Sequence, residues 1–510
     1  MKPYYLNTDD AWGLMEPCTA LLFTIGLFIY SIIQVWRRTI LFFTGAKEVT
    51  TTTMEKKKKK VNTEALWSKR LALSVAFLAY VLRPLYIDKN GLAELIRGSD
   101  PKLEQILKLA PAISRGPEPP LLLHNRHLQF APWMIQNEFH NGNIPFEEIY
   151  FNVTGCLDKS IGDIGDDRTA VCDRPEEMTD EIRFDVFPPF DSSSEYPQFN
   201  SGSPVILFEP GLRCHSQDMP GNMIIRLAYE KGIRSIAINR RGHIPNQVLK
   251  APRWNLFGDI DDLEQTYWHI KENLLAPNTA IFLHGISSGC AVTVTALAAW
   301  DKRRLLFPEK KTPSFVGAVT VTPGYDTSKV LQPDRFKEPY NALMTFAVKD
   351  HFIMKNEKVL RSFDSSAVDA ALEASTLQEF LDASAPFAGY PNASEYFKGE
   401  NPVNDLQYID TPTFVLNSLD DPCCNINNLY ETSPYVNHEG RSFAQIVRDS
   451  KRGLIAVTKT GSHCPFLDGR WFPFIKDPLT GKWMLKSWAD EASVEFYVAA
   501  LQVYDERRFM

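Results

Sequence analysis

The stretch Ile281–Gly289 constrains the fold of this chain more than any other segment. It reads IFLHGISSG, a G-x-S-x-G pattern that follows an apolar run and precedes a helical pattern rich in alanine and valine. That context is typical of a nucleophile elbow, a sharp turn between a strand and a helix that projects one serine. The pattern predicts Ser287 as a nucleophile and the backbone N–H of Ser288 as one donor to a developing oxyanion.

Short apolar runs alternate with helical patterns on both sides of this turn. The strand candidates are Pro204–Phe208, Ser235–Asn239, Ala280–His284, Gly317–Val321, Thr413–Asn417 and Leu454–Thr458. The helix candidates are Met219–Lys231, Asp259–Asn273, Ser288–Leu305 and Trp488–Val503. Such alternation favours an α/β fold with a mostly parallel central sheet and helices on both faces. The interval 326–409 is too long for a loop, so it predicts a helical lid insertion at about residues 327–409.

A serine nucleophile needs a base and an orienting carboxylate, and two strand-end turns offer them. Asp420 and Asp421 follow the strand candidate that ends at Asn417, and His463 follows the one that ends at Thr458. The carboxyl ends of parallel strands lie at one edge of a sheet, and Ser, Asp, His is the chain order of α/β hydrolases. Alone, two aspartates before a proline often form only a turn, and a single histidine is often structural. Their order beside Ser287 predicts a catalytic triad.

A second oxyanion donor is expected from the loop after an early strand. The candidate strand Pro204–Phe208 is followed by Glu209, Pro210, Gly211 and Leu212. The N–H of Leu212 is therefore the candidate donor, and Gly211 would allow a close approach of substrate to the backbone.

Composition excludes several classes of protein. The 510 residues are 44% hydrophobic and 23% charged, which is the balance of a folded globular chain. With 55 Lys and Arg against 62 Asp and Glu, the net charge of −7 provides no overall basic field, so no nucleic-acid partner is expected. The eight cysteines form no CxxC pair, and neither an HExxH motif nor a Gly-rich phosphate loop occurs. We therefore expect neither a metal nor an organic cofactor.

The amino-terminal segment departs from this average. After a short acidic flank at residues 1–18, the run Thr19–Trp36 carries no charge and is about 27 Å long as a helix, close to the thickness of a hydrocarbon core. We expect a single transmembrane anchor at residues 19–42. A cleaved secretory signal fits less well, because the preceding flank is acidic rather than basic. Basic residues on the carboxyl side would keep the rest of the chain facing the cytoplasm.

Residues 43–110 are expected to form a basic tether that includes Lys56–Lys60 and a second apolar stretch at Leu71–Leu82. Twelve residues are too few to cross a bilayer, so this stretch, within 71–87, is either interfacial or a core helix. The hydrolase domain is expected at residues 111–510, with Gly116–Pro120 breaking any helix at its start.

From about Leu122 onward the chain resembles the membrane-anchored α/β-hydrolase-domain-containing serine esterases and lipases, together with their bacterial and yeast esterase relatives. Seven blocks carry the resemblance in order: HNRHLQ (His124–Gln129), PGL (Pro210–Leu212), NRRG (Asn239–Gly242), HGISSG (His284–Gly289), TLQEFLD (Thr376–Asp382), LDDP (Leu419–Pro422) and GSHCPFLDG (Gly461–Gly469). The sequence departs from the family at Arg213–His215, where small residues usually follow PGL.

The resemblance implies a membrane-anchored serine hydrolase that acts on acyl esters, often glycerolipids. It places the nucleophile at Ser287, the base at His463 and the acid at Asp421, because the acid in related hydrolases sits just before such a proline; Asp420 is the alternative. Two other functions are compatible with the same motifs: an alcohol acyltransferase that makes fatty-acid esters, and a hydrolase fold retained as a binding protein. The expected partner is a membrane lipid or lipid ester.

Overall fold

A computed structural model describes residues 91–121, 123–130, 132–133, 144–155, 178–190, 195–244, 246–336, 338–433 and 440–504. None of the helices in these ranges is both long enough and apolar enough to cross a membrane. The anchor expected at 19–42, the basic tether through residue 90 and the apolar segment at 71–87 lie outside the described residues.

Nine described strands form one sheet in the order β1-β9-β8-β7-β6-β4-β5-β3-β2. Strands β4 to β9 run parallel to one another, whereas β1 pairs antiparallel with β9 at one edge and β3 and β2 are antiparallel additions at the other. The mostly parallel sheet predicted from the sequence is therefore confirmed. The strands are β1 Leu92–Arg97, β2 Glu147–Val153, β3 Asp180–Phe187, β4 Val205–Glu209, β5 Arg234–Asn239, β6 Ile281–Ile286, β7 Gly317–Val321, β8 Thr413–Ser418 and β9 Gly453–Thr458; a separate hairpin holds β10 Phe474–Lys476 and β11 Trp483–Leu485.

Helices pack on both faces of this sheet. They are α1 Lys102–Leu109, α2 Pro111–Arg115, α3 Met219–Glu230, α4 Ile260–Asn273, α5 Gly289–Leu306, α6 Thr327–Val330, α7 Tyr340–Val348, α8 Glu357–Arg361, α9 Ser365–Glu373, α10 Leu377–Ser384, α11 Ala393–Glu400, α12 Asn427–Tyr430, α13 Phe443–Asp449 and α14 Trp488–Val503. A π-helical stretch, Lys349–Met354, continues α7, and 3-10 turns occupy Ala385–Ala388 and Pro402–Tyr408.

Alternate side chains of each buried strand enter two different hydrophobic cores, one on each face of the sheet. In β4, Val205 and Leu207 join the core formed with α4 and α5, whereas Ile206 and Phe208 join the core formed with α1, α3 and α14. Because side chains of a strand point to opposite faces in turn, a fully apolar strand needs cover on both faces. This is why the interior strands read as continuous apolar runs in the sequence.

The structure corrects the predicted start of the folded domain. Strand β1, Leu92–Arg97, pairs antiparallel with β9, and α1 packs against the terminal helix α14. The domain therefore reaches back at least to Leu92 instead of starting at residue 111, and the segment assigned to the tether contributes an edge strand and a helix. Among the described strands β1 pairs only with β9, and Ile96 is its one buried side chain, so its apolar signal is weak.

The interval between β7 and β8 is helical, as predicted. It contains α6 to α11 with the π-helical and 3-10 turns, and its apolar side chains form their own core around Phe352, Phe380 and Phe387. That core also takes in Trp254, whose ring stacks on Phe352 at 4.7 Å between centroids. The insertion is thus a packed layer attached to the loop after β5, not a loose connection.

Candidate active site

Ser287 lies at the tip of a strained turn between β6 and α5. Its backbone occupies the left-handed region with φ 54°, which is unusual for a residue that carries a Cβ. The two glycines of the motif make room for this turn: a Cβ on Gly285 would lie 2.6 Å from Thr293 Oγ1, and one on Gly289 would lie 2.2 Å from the carbonyl oxygen of Glu209. Glycine at both positions is therefore a steric requirement of the elbow.

The side chains of Ser287, His463 and Asp421 form one connected hydrogen-bond chain. The distance from Ser287 Oγ to His463 Nε2 is 2.7 Å, and that from His463 Nδ1 to Asp421 Oδ2 is 2.9 Å. In the tautomer that donates from Nδ1 to Asp421, Nε2 is free to accept the Ser287 hydroxyl. His463 and Asp421 are both buried. The structure thus brings together the three residues that the sequence predicted, in the geometry that a serine nucleophile needs.

The two neighbouring aspartates have different partners. Asp421 faces the imidazole, whereas Asp420 Oδ1 accepts the backbone N–H groups of Gly461 and Ser462 at 2.9 Å each. Asp420 therefore holds the loop that carries His463, and Asp421 contacts the histidine itself. That loop is strained, because Ser462 and Cys464 both have positive φ, at 58° and 81°.

The carboxylate beside the histidine determines its electrostatics. Burial alone would lower the pKa of His463, but the adjacent Asp421 carboxylate outweighs it and the pKa is raised above its ordinary value. Burial raises the pKa of Asp420 to about 6, although hydrogen bonds from Ser418 and the loop amides oppose the shift. A protonated His463 therefore has a buried carboxylate within hydrogen-bond distance.

Arg240 links the loop after β4 to the elbow. Its guanidinium donates to the carbonyl oxygens of Pro210 and Gly211, each at 2.9 Å, and to Ser288 Oγ at 3.3 Å. In a trans peptide the C=O and N–H bonds point in opposite directions, so the Leu212 N–H points away from Arg240. Leu212 and Ser288 line the same pocket as Ser287, which places both expected oxyanion donors beside the nucleophile.

Glu209 and Arg240 lie next to each other beneath this loop, and both are buried. Glu209 Oε2 lies 3.9 Å from Arg240 Nε, and neither atom has a hydrogen-bond partner within the described ranges. Burial raises the pKa of Glu209 to about 8, and the nearby guanidinium offsets part of that rise. Arg240 belongs to the NRRG block of the sequence. No local pattern around it predicts its contacts with Glu209 and with the loop after β4.

A second supporting residue comes from the HNRHLQ block. The Gln129 side chain is buried and its Oε1 accepts the backbone N–H of Leu467, in the segment that follows the histidine. The ring of Phe130 lies 6.5 Å from the His463 ring, between centroids. Gln129 and Phe130 thus contact the histidine loop from a segment that lies far earlier in the chain. Local sequence cannot reveal a long-range contact of this kind.

An apolar pocket opens at the nucleophile beneath the helical insertion. Its walls come from the elbow, the insertion and the loops after β4, β5, β7, β8 and β9, namely Leu212, Phe257, Ser287, Ser288, Ala291, Gly324, Thr327, Val330, Leu331, Phe336, Met344, Leu377, Cys423, Cys424 and His463. The insertion therefore contributes side chains to the pocket, in keeping with the expected lid. A pocket of this composition suits an acyl chain or another apolar group.

One set of side chains has the composition of metal ligands. Single ligand atoms of Asp421, Cys423 and His463 lie within 4.8 Å of one another. Two of these residues are already hydrogen-bonded to each other, and burial raises the pKa of the Cys423 thiol to about 12, so this ligand is protonated at neutral pH. The donor set therefore does not fit a resident metal.

The mostly parallel sheet and the elbow together have the features of the α/β-hydrolase fold, and Ser287 lies at the position that the nucleophile occupies in that fold. No family model matches the chain. It is 26% identical to monoacylglycerol lipase ABHD2 of Danio rerio over 332 residues, which cover 62% of this chain and 68% of that protein. The human protein of the same name is 24% identical over 306 residues, 58% of this chain and 65% of the relative. These matches confirm the resemblance to the α/β-hydrolase-domain serine esterases and lipases.

Other matches are shorter or more distant. Medium-chain fatty acid ethyl ester synthase/esterase 2 of Saccharomyces cerevisiae is 33% identical over 113 residues, 22% of this chain and 19% of that protein. Among solved structures, the carboxylesterase Cest-2923 from Lactobacillus plantarum WCFS1 has a TM-score of 0.32 and 11% identity, covering 63% of this chain and 85% of that one. The chain spans about two thirds of the length of the ABHD2 relatives that it matches.

Proposed function

We propose that this chain is a serine hydrolase that cleaves carboxylic esters through an acyl-serine intermediate, with lipid acyl esters as its substrates. The observation that carries the proposal is the 2.7 Å contact between Ser287 Oγ and His463 Nε2, with Asp421 on the far side of the ring, at the floor of an apolar pocket.

The chemistry follows from these positions. Ser287 Oγ attacks the ester carbonyl while His463 Nε2 takes the hydroxyl proton, and Asp421 stabilises the resulting imidazolium. The N–H groups of Leu212 and Ser288 bind the carbonyl oxygen as it becomes negative. His463 then gives the proton to the leaving alcohol. A water molecule next attacks the acyl-serine while the same imidazole takes its proton, and His463 returns that proton to Ser287 Oγ as the bond to the acyl carbon breaks and the carboxylic acid leaves.

Three features favour a lipid substrate. The pocket walls are mostly apolar, and the insertion exposes Leu343 and Phe346, which are 62% and 72% accessible, on α7 beside the pocket residue Met344. Relatives of the chain are monoacylglycerol lipases by name. The uncharged run Thr19–Trp36 is the proposed anchor, which would hold the domain at a bilayer with the basic flank on the cytoplasmic side.

The test is labelling of full-length protein in membranes with a fluorophosphonate probe. We expect the wild type to label and Ser287→Ala not to label, whereas Ser288→Ala should still label because its oxyanion contribution is a backbone N–H. A folded wild-type protein that never labels would contradict the hydrolase proposal and favour the binding-protein alternative. Labelling that survives Ser287→Ala would contradict only the choice of nucleophile.

Transfer of the acyl group to an alcohol is the second candidate, and the match to the yeast ester synthase/esterase favours it. The two reactions share the acyl-serine and differ in whether water or an alcohol attacks it. Products formed from one lipid ester with and without added alcohol separate them. Membrane orientation has its own test, since sugar on the sequons at Asn152 or Asn392 would contradict a cytoplasmic domain.

A further inference from the structure

The hairpin of β10 and β11 exposes a contiguous aromatic surface. Trp471 is 76% exposed and Trp483 57%, and Phe472 and Phe474 are exposed beside them. The ring of Phe472 lies 5.3 Å from that of Phe474 and 5.2 Å from that of Trp483, between centroids. We call these four residues the aromatic patch. Single exposed apolar side chains are common, but three exposed rings in mutual contact, with a fourth exposed ring on the residue next to Phe472, are typical of an interaction surface.

The rest of the hairpin fixes the direction in which the patch faces. Asp477 Oδ2 accepts a hydrogen bond from buried Arg226 of α3 at 2.6 Å, and the Asp477 side chain also binds the turn through the Leu479 N–H at 2.9 Å. Met484 is buried in the main core, so its neighbour Trp483 points outward. Turning the patch inward would break the Arg226 ion pair and expose Met484.

The exposed charged side chains of the hairpin segment itself are positive. The ionisable side chains of residues 471–485 are Lys476, Asp477 and Lys482. Both lysines are exposed, whereas Asp477 is buried against Arg226. Lys476 Nζ lies 5.4 Å from the centre of the Trp483 ring, so a cation sits directly at the aromatic surface.

We propose that the aromatic patch docks on a bilayer that contains anionic lipids. Indole rings favour the boundary between headgroups and acyl chains, and lysines beside them favour anionic headgroups. A surface that is both aromatic and cationic matches this boundary, which is itself both apolar and anionic. The proposal goes beyond ester hydrolysis and holds equally for a protein that lacks the nucleophile. It adds a contact that orients the domain on the membrane, independent of the proposed anchor.

The experiment uses the full chain reconstituted in phosphatidylcholine and phosphatidylserine vesicles with brominated acyl chains, which quench nearby indoles. Trp471→Phe/Trp483→Phe keeps the aromatic surface and removes two of the ten tryptophans. We expect the quenched fraction of the fluorescence to fall in this variant, because the removed indoles are among the quenched ones. An unchanged or larger quenched fraction would overturn the proposal and favour a protein partner for the patch. The result should be the same in a Ser287→Ala background, which separates it from the proposed catalysis.

Two controls sharpen the result. Trp268→Phe removes a half-buried indole of α4 that contacts Lys311, and it should not lower the quenched fraction. Lys476→Glu/Lys482→Glu keeps both indoles and reverses the charge beside them. In anionic vesicles the quenched fraction of the fluorescence should therefore fall, toward the value that the wild type gives in pure phosphatidylcholine vesicles. Quenching that is indifferent to this charge reversal would overturn the role assigned to anionic lipid.

Discussion

The Asp420 side chain accepts the backbone N–H of Ser462 at 2.9 Å, although the neighbouring carboxylate, that of Asp421, faces the catalytic candidate His463. Two adjacent acids therefore have separate tasks. We expect Asp421→Asn to lower the rate of fluorophosphonate labelling by about 10⁴-fold, because the histidine loses its orienting charge. Asp420→Asn retains an acceptor oxygen for the loop and should lose less than about tenfold. Equal losses in the two variants would contradict this division.

The pH dependence of the reaction should report the same carboxylate. Burial lowers and Asp421 raises the pKa of His463, with a net rise, and only the neutral imidazole can accept the serine proton. Activity should therefore increase with pH through this raised pKa. In Asp421→Asn the acid limb of the profile should move to lower pH, because the neutral amide no longer favours the imidazolium. The labelling rate across pH measures the shift, and an unmoved limb would exclude His463 as the titrating base.

We expect Arg240 to act as a positioning residue for the proposed oxyanion site, because it binds the two carbonyl oxygens that precede Leu212. Arg240→Lys keeps the positive charge, but its single nitrogen cannot replace both Nη1, which donates to the carbonyl oxygen of Phe257, and Nη2, which donates to those of Pro210 and Gly211. We expect kcat to fall by about 10²-fold with little change in KM, since a misdirected Leu212 N–H matters most in the transition state. The amount of fluorophosphonate bound at the end of the labelling reaction gives the concentration of active sites, from which kcat is calculated. A variant with normal kcat per labelled site and only a lower melting temperature would show a purely structural role.

Stability should depend on pH through Glu209. Its pKa is about 8 in the folded protein, because burial disfavours the carboxylate, against an ordinary value of 4.5. Between these values the folded protein keeps a proton that the unfolded chain has lost, so the free energy of unfolding falls as pH rises. Chemical denaturation from pH 5 to 8 should show a steeper fall for wild type than for Glu209→Gln. Parallel curves for the two proteins would contradict the raised pKa.

The two glycines around the nucleophile loop should respond differently to alanine. A Cβ at Gly289 would lie 2.5 Å from the carbonyl oxygen of Pro210, whereas one at Gly211 would approach Ser287 Cβ only to 3.5 Å, an ordinary contact. We expect Gly289→Ala to displace the loop and lower both labelling and melting temperature, and Gly211→Ala to remain folded and to label. A fully active Gly289→Ala protein would contradict the close approach of α5 to this loop.

The elbow and the parallel strands were predictable because their signals are local. The fully buried strands must be apolar on both faces, and the Gly-x-Ser-x-Gly turn needs small residues at fixed positions beside Ser287. The edge strands were missed because their sequences lack a continuous apolar run. Strand β2, Glu147–Val153, exposes alternate residues and carries two glutamates, so it differs little from a polar loop until β3 pairs with it.

Sequence alone determined the residue types of the site and their order along the chain: Ser287, an aspartate of the pair 420 and 421, and His463. Only the tertiary structure decided which aspartate meets the histidine, because that depends on how β8 and β9 place their carboxyl-end loops side by side. It also decided the tasks of Arg240 and the direction of the aromatic patch, which rest on contacts between residues far apart in the chain. Local sequence patterns indicate which side chains of a segment are buried. The partners of a buried polar or charged group depend on how distant segments pack together, which a local pattern does not specify.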